Sequence, residues 1–241
     1  DLGCFSVASG TVIGARHAQA LRPNQDRLAV CRTPERIVCV IADGCSSAAQ
    51  SEVGAALAAR MLARLVVEER RFDTTDDREA LWHEVTSVLT EQLRTVAGWS
   101  GDLPELYLFT LVCLVITPTL TEVVGLGDGC AALNDDFQIV AAKDNTPPYL
   151  GYRLWPADAT AFAPHDLELR RWQALPTAAL LHAVIGSDGL VDLPPAARAT
   201  LCSDPRTFGN PDFVRRQLAR MNRLPPGVLP DDTTVILVGR R

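Results

Sequence analysis

Lysine is nearly missing from this chain: Lys143 is the only one among 23 Lys and Arg residues. With alanine abundant, that bias reads as GC-rich coding and points to a bacterial source. A basic surplus is missing too. The formal net charge is −6 and the pI about 5.2, which speaks against a nucleic-acid backbone as partner, since that calls for a basic face. No apolar run approaches the ~20 residues that span a bilayer. The longest, Leu106 to Ile116, is interrupted by Thr110, so no membrane partner is expected. No signal peptide is visible. The seven cysteines are odd in number and lack C-x-x-C spacing. Cys39 and Cys113 lie in apolar runs, where a thiol serves as a small hydrophobe. That usage suits a reducing compartment, and the cytoplasm is the expected location. Repeats, low-complexity segments and linkers are absent, so residues 1–241 read as one domain. Its 47% hydrophobic residues are enough for a sizeable core.

What is present is a repeated pattern. Three apolar runs end in Asp-Gly: Ile37 to Gly44, Thr121 to Gly129 and His182 to Gly189. A fourth, Val235 to Val238, is preceded by Asp231-Asp232. Continuous β-branched runs are buried strands covered on both faces. Strands that each carry an acid at one end can bring those acids together. Two carboxylates ~4 Å apart repel by about 4 kcal/mol at an effective dielectric near 20, so a cluster calls for cations. Hard oxygen donors without a His or Cys pattern favour Mg²⁺ or Mn²⁺ over Zn²⁺. Asp-Gly is equally a hairpin-turn signal, because both residues tolerate positive φ.

Leu2 to Ala15 reads as a strand pair or one bent strand, and Arg27 to Cys31 as a short strand. Ile37 to Ala42 is a core strand. Helical spacing marks Ser51 to Glu69, with Ser46, Ser47 or Ser51 as N-cap, and Asp76 to Val96. Leu106 to Thr117, Thr121 to Gly125 and the stretch Ala131 to Val140, turned at Asn134-Asp135, read as an antiparallel meander. Lys143 to Pro164 is irregular and rich in Pro and aromatics. Leu180 to Ser187 and Thr233 to Gly239 are strands, and Pro194 to Leu201 and Asp212 to Arg223 are helices. The result is an α+β layered architecture.

The order of motifs resembles the metal-dependent protein phosphatases of the protein phosphatase 2C (PP2C) family. The residues that carry it are Asn24-Gln25-Asp26, Asp43-Gly44, Gly127-Asp128-Gly129, Ser187-Asp188-Gly189 and Asp231-Asp232-Thr233-Thr234. The resemblance covers about Gly10 to Val238. It implies an α-β-β-α sandwich of two antiparallel sheets flanked by helices. It also implies two Mg²⁺ or Mn²⁺ ions, with a third, looser one in bacterial members. By motif, Asp43 would bridge two cations and Gly44 offer its carbonyl. Asp188 and Asp231 would ligate the other ion. Asp128 would help hold the third, supported by Asp192. Gln25, Asp26 and Asp232 would support the ligands from behind. The implied reaction is hydrolysis of phosphoserine or phosphothreonine in proteins by a water between the metals, opposing a Ser/Thr kinase. Catalysis would rest on Asp43, Asp188 and an arginine that holds phosphate.

Three positions depart from the commonest pattern. Gln25 stands where Glu is usual, as in some bacterial subfamilies. The phosphate-binding arginine usually lies four residues before that acid, whereas Arg22 lies three before Gln25 and Arg16 nine before. Arg22 is the candidate and Arg16 the alternative. Cys45 replaces a histidine that acts as general acid in many members, and a thiol is a poor substitute. His17 is read as loop surface, or as a proton donor swinging in. Asn145 to Arg153 falls where the family carries a variable flap, with Tyr149, Tyr152 and Arg153 able to touch a substrate. No C-x₅-R loop of a cysteine phosphatase is present. The alternatives are a weak or inactive module of the same fold that binds or regulates, and a small-molecule phosphatase.

Overall fold

The computed structural model describes residues 2–100, 103–155, 160–204, 206–210, 212–223 and 229–240. The ten strands are β1 (Phe5–Val12), β2 (Arg27–Arg32), β3 (Ile37–Gly44), β4 (Phe109–Ile116), β5 (Leu120–Leu126), β6 (Gly129–Leu133), β7 (Asp136–Val140), β8 (Arg170–Pro176), β9 (His182–Gly186) and β10 (Thr233–Arg240). The helices are α1 (Ala15–Gln19), α2 (Ser51–Glu68), α3 (Arg78–Ser100), α4 (Leu103–Leu106), α5 (Pro195–Ser203) and α6 (Phe213–Asn222). No helix among the described residues is long and apolar enough to cross a membrane.

The strands form two five-stranded antiparallel sheets, β1-β10-β9-β6-β7 and β2-β3-β4-β5-β8. Side chains alternate across each strand. In β3, Ile37, Cys39 and Ile41 face the other sheet and pack with Val112, Leu114, Ile185 and Ile236. Val38, Val40 and Ala42 face outward, under Ala55, Ala59 and Leu62 of α2 and Leu89 and Leu93 of α3. On the other sheet, Val184, Val235 and Leu237 meet Leu201 of α5 and Val214 and Leu218 of α6. Both faces of these strands are dry, which is why they carry unbroken apolar runs rather than an alternating pattern. Each such aliphatic side chain contributes about 1.5–3 kcal/mol when fully buried. The layer order is α-β-β-α, the sandwich implied by the motifs.

Four local expectations change. The expected meander breaks after β5: instead of pairing with β5, β6 joins the other sheet beside β9. Gly127 (φ 93°) and Gly129 (φ 141°) make this crossing, a backbone open only to glycine there. Strand β8 lies in a stretch given no element by the sequence, because as an edge strand with exposed Arg170 and Arg171 it lacks an apolar run. The segment after β1 turns at Gly14 into α1 rather than remaining strand. None of the three serines caps α2: Gln50 holds that position without a side-chain bond, and Ser51 Oγ donates to Cys45 O at 3.1 Å. Residues 156–159 of the irregular stretch lie outside the described residues.

Candidate active site

Strand register gathers the acids. Asp43 sits opposite Thr110 at the end of β3, and Arg27, which follows Asp26, sits opposite Ala42. Leu126 pairs with Leu111, so Asp128 emerges at that same end. In the second sheet Gly186 lies opposite both Cys130 and Val235, so Asp188 leaves β9 where Asp231 and Asp232 enter β10. Val12 opposite Thr233 brings the loop after β1 to the same place. None of the three Asp-Gly pairs is a hairpin. Asp43-Gly44 leads toward α2, Asp128-Gly129 crosses between sheets, and Asp188-Gly189 opens a short 3-10 turn, Asp188–Leu190. At Gly189 a Cβ would lie 2.0 Å from the carbonyl oxygen of Asp232. That glycine lets two acid-bearing segments approach.

The result is a cavity of about 290 Å³ whose walls include Asp43, Gly44, Asp128, Asp188, Asp192 and Asp231. Arg16, Cys45 and Tyr149 complete its rim. The Asp43 carboxyl lies beside those of Asp26 and Asp188. Burial raises Asp43 well above the usual carboxylate range, and the charges of Asp26 and Asp188 add to the effect. Asp26 is pushed up to about 7 by burial and then by Asp232, although Ser187 Oγ donates to it at 2.7 Å. Asp128 is pushed up to about 6 by burial and the charge of Asp188. Asp188 is raised by burial, with Asp231 and Asp192 adding to it. Asp192 is raised by burial and Asp231, against the pull of Arg16.

These raised values make the metal-free fold pH-dependent. Folding favours the protonated form of Asp26 and Asp128, so their stabilisation is full below the ordinary value of 3.8 and is lost as pH rises through about 6 to 7. In EDTA the protein should melt at a lower temperature near about pH 8 than near about pH 5, and Asp26→Asn should flatten the difference. Melting curves by circular dichroism at the two pH values check this. A slope unchanged in Asp26→Asn would show that other groups set it.

The remaining candidates divide. Gln25 and Asp26 are buried. Gln25 Nε2 donates to Ala48 O at 2.8 Å. Gln25 Oε1 and Asp26 Oδ1 are buried without a hydrogen-bond partner. Asp232 does not line the cavity and accepts from Gly14 N (2.7 Å), Gln25 N (2.6 Å) and His17 Nδ1 (2.8 Å). His17 is 6% exposed, so the reading of it as loop surface is corrected: its carboxylate partner draws it inward. Arg22 does not line the cavity; its guanidinium donates to Ser46 O. Arg16, six residues earlier, is the arginine at the rim. In the flap stretch Tyr149 lines the cavity, and its hydroxyl is within hydrogen-bond reach of Cys45 Sγ. Tyr152 instead stacks on Phe162 and leans on Trp155, and Arg153 pairs with Glu168 at 3.6 Å.

The donor set fits divalent cations. It consists of hard oxygens, several forced together with raised pKa values and two left buried without partners, and cations relieve both conditions. One atom each of His17, Asp231 and Asp232 also lies within 4.8 Å of the others.

Comparison with known proteins follows the same line. Among curated protein sequences none matches. The fold matches the serine/threonine phosphatase Stp1 from Staphylococcus aureus with a TM-score of 0.65 at 15% identity, over 98% of this chain and 94% of that one. PppA of Pseudomonas aeruginosa, a key regulatory component of T6SS, matches at 0.59 and 18%, over 98% of both chains. The catalytic domain of the serine threonine protein phosphatase PstP, in complex with two manganese ions, matches at 0.57 and 17%, over 98% and 97%. The family profile of protein phosphatase 2C matches residues 13–222, and on that match, which spans most of the sandwich and most of its acids, the chain belongs to the protein phosphatase 2C family.

Proposed function

We propose that this protein is a Mg²⁺- or Mn²⁺-dependent protein serine/threonine phosphatase whose substrate is a phosphoprotein. The observation that supports it best is the convergence of Asp43, Asp128, Asp188 and Asp231 on one cavity with Arg16, the one arginine among its described lining residues, on the rim. Asp43, Gly44, Asp188 and Asp231 would hold two cations, and Asp128 with Asp192 a third. Bound there, such ions supply Lewis-acid neutralisation of phosphoryl oxygens and activation of water. The chain's own residues do the rest. Arg16 offers a planar fork of N–H donors that matches two phosphoryl oxygens. Asp26 braces Asp43 from behind and is itself held by Ser187. Thr234 N donates to Ser187 Oγ at 3.0 Å, so this brace is tied into the last strand. Burial of the floor lowers the local dielectric and strengthens each interaction with a developing charge.

Cys45 and Tyr149 line the cavity beside the acids. Burial raises the Tyr149 phenol, so it is not matched to neutral pH as an acid. A phosphoserine alkoxide needs a proton, whereas p-nitrophenolate does not. With Mn²⁺ present the parent should hydrolyse both a phosphothreonine peptide and p-nitrophenyl phosphate. Cys45→His should raise kcat on the peptide more than on the aryl ester, by up to about 10²-fold. Equal changes on both would show that protonation from position 45 does not limit the rate. A parent inert toward both substrates would favour the second reading, a non-catalytic module of the same fold, which Gln25 and Cys45 motivate. The retained acids oppose that reading, since a scaffold gains nothing from keeping repelling carboxylates together.

A further inference from the structure

We infer that His17 and Asp232 form a clasp that positions Arg16 at the cavity, an inference that rests on the phosphatase reading because it gives Arg16 the phosphoryl group. The segment between β1 and β2 runs from Ile13 to Asp26 and contains only the five-residue helix α1, too short to hold its own shape. One carboxylate gathers it. Asp232 Oδ1 accepts from Gly14 N at 2.7 Å, and Oδ2 accepts from Gln25 N at 2.6 Å and from His17 Nδ1 at 2.8 Å. A backbone N–H near each end of the segment and one side chain within it thus converge on a group 2% exposed. Backbone bonds from Ala15 N to Leu229 O (3.0 Å) and Arg16 N to Pro230 O (3.1 Å) fix the first turn against the approach to β10.

Arg16 is exposed and makes no side-chain hydrogen bond among the described residues, so its direction is set by its backbone and by the charge of Asp192. Neighbouring helical residues project about 100° apart. Drawing His17 inward onto Asp232 therefore turns Arg16 sideways, toward Asp192 and the cavity wall. His17 and Asp232 act through Arg16: they are positioning residues and touch no substrate. The competing assignment makes His17 and Asp232 ligands to a cation together with Asp231. Against it, both Asp232 oxygens are already engaged by N–H donors.

The test uses the whole chain loaded with Mn²⁺, in the parent, His17→Leu, His17→Asn, Arg16→Ala and the double variant His17→Leu/Arg16→Ala. Affinity for inorganic phosphate is measured by titration calorimetry, with KM, kcat and Mn²⁺ affinity alongside. His17→Leu should weaken phosphate binding and raise KM by about 10-fold, while Mn²⁺ affinity stays unchanged. Asn places an N–H near the position of Nδ1, so His17→Asn should stay within about twofold of the parent. The double variant should lose no more than Arg16→Ala alone. Additive losses, a His17→Asn variant as impaired as His17→Leu, or weakened Mn²⁺ binding would overturn the clasp. Should His17→Leu not fold, Asp232→Asn decides. Its amide oxygen keeps the acceptor for Gly14, but the NH2 in place of Oδ2 accepts from neither Gln25 nor His17, and it should show the same loss of phosphate affinity. A parent that binds phosphate without turning over phosphoesters would fail the phosphatase reading alone, and the phosphate titration still judges the clasp. A parent with no phosphate affinity overturns both.

Discussion

Asp43→Asn should lower kcat on p-nitrophenyl phosphate by on the order of 10²–10³-fold, the scale of losing one preorganised electrostatic group. Asp43 is the acid that reaches both sides of the cluster, toward Asp26 and toward Asp188. Removing its charge should weaken the hold on two cations at once. EDTA should abolish turnover of the parent, and Mn²⁺ or Mg²⁺ should restore it. Asp188→Asn should behave in the same direction. Stability should move the opposite way. In EDTA at neutral pH, Asp43→Asn should melt at or above the parent temperature, because burial and two neighbouring carboxylates disfavour the charge that it removes. Activity assays with and without EDTA, paired with melting curves, check both halves. Full turnover in EDTA, or an Asp43→Asn protein as active as the parent, would falsify the metal-dependent reading.

Arg16→Ala should cut kcat/KM by roughly 10–150-fold, the range for losing a hydrogen bond to a charged group. Arg22→Ala should change it by less than about twofold, as for a residue whose guanidinium does not line the cavity. The difference comes from placement. Arg16 lines the acidic cavity, while Arg22 spends its guanidinium on the carbonyl of Ser46. Metal affinity should stay unchanged in both variants, which separates phosphate binding from damage to the acid cluster. Steady-state kinetics with Mn²⁺ titrations in each variant decide between them. A large loss in Arg22→Ala with none in Arg16→Ala would return the role to Arg22 and would require the 14–25 segment to move when substrate binds.

The two arginines show where sequence reading stops. Counting residues back from Gln25 selects Arg22, because spacing along a chain is all that a sequence offers. The segment folds into a short helix at Gly14 and is held near both ends by Asp232, more than two hundred residues away. Its projection into the cavity therefore depends on a long-range contact. His17 is misread for the same reason: its partner is distant, and nothing in its neighbourhood in the sequence announces burial. Tyr149 was within reach of sequence reading as part of a Pro-rich, aromatic stretch. That Tyr149 reaches the cavity while Tyr152 packs on Phe162 and Trp155 is a matter of loop path alone.

By itself the sequence determined the strands β3, β4, β9 and β10, since apolar runs covered on both faces have few other solutions, and it determined that acids close several of them. Antiparallel pairing of β9 with β10 brings Asp188 to Asp231, and the packing of the two sheets face to face sets Asp43 beside them. Only the tertiary structure decided that β6 leaves β5 for the other sheet, that β8 supplies an edge, and that Arg16 rather than Arg22 faces the acids. Burial pattern is a local property written residue by residue. Sheet membership, edges and the aim of an exposed side chain are settled by contacts between segments far apart in the chain.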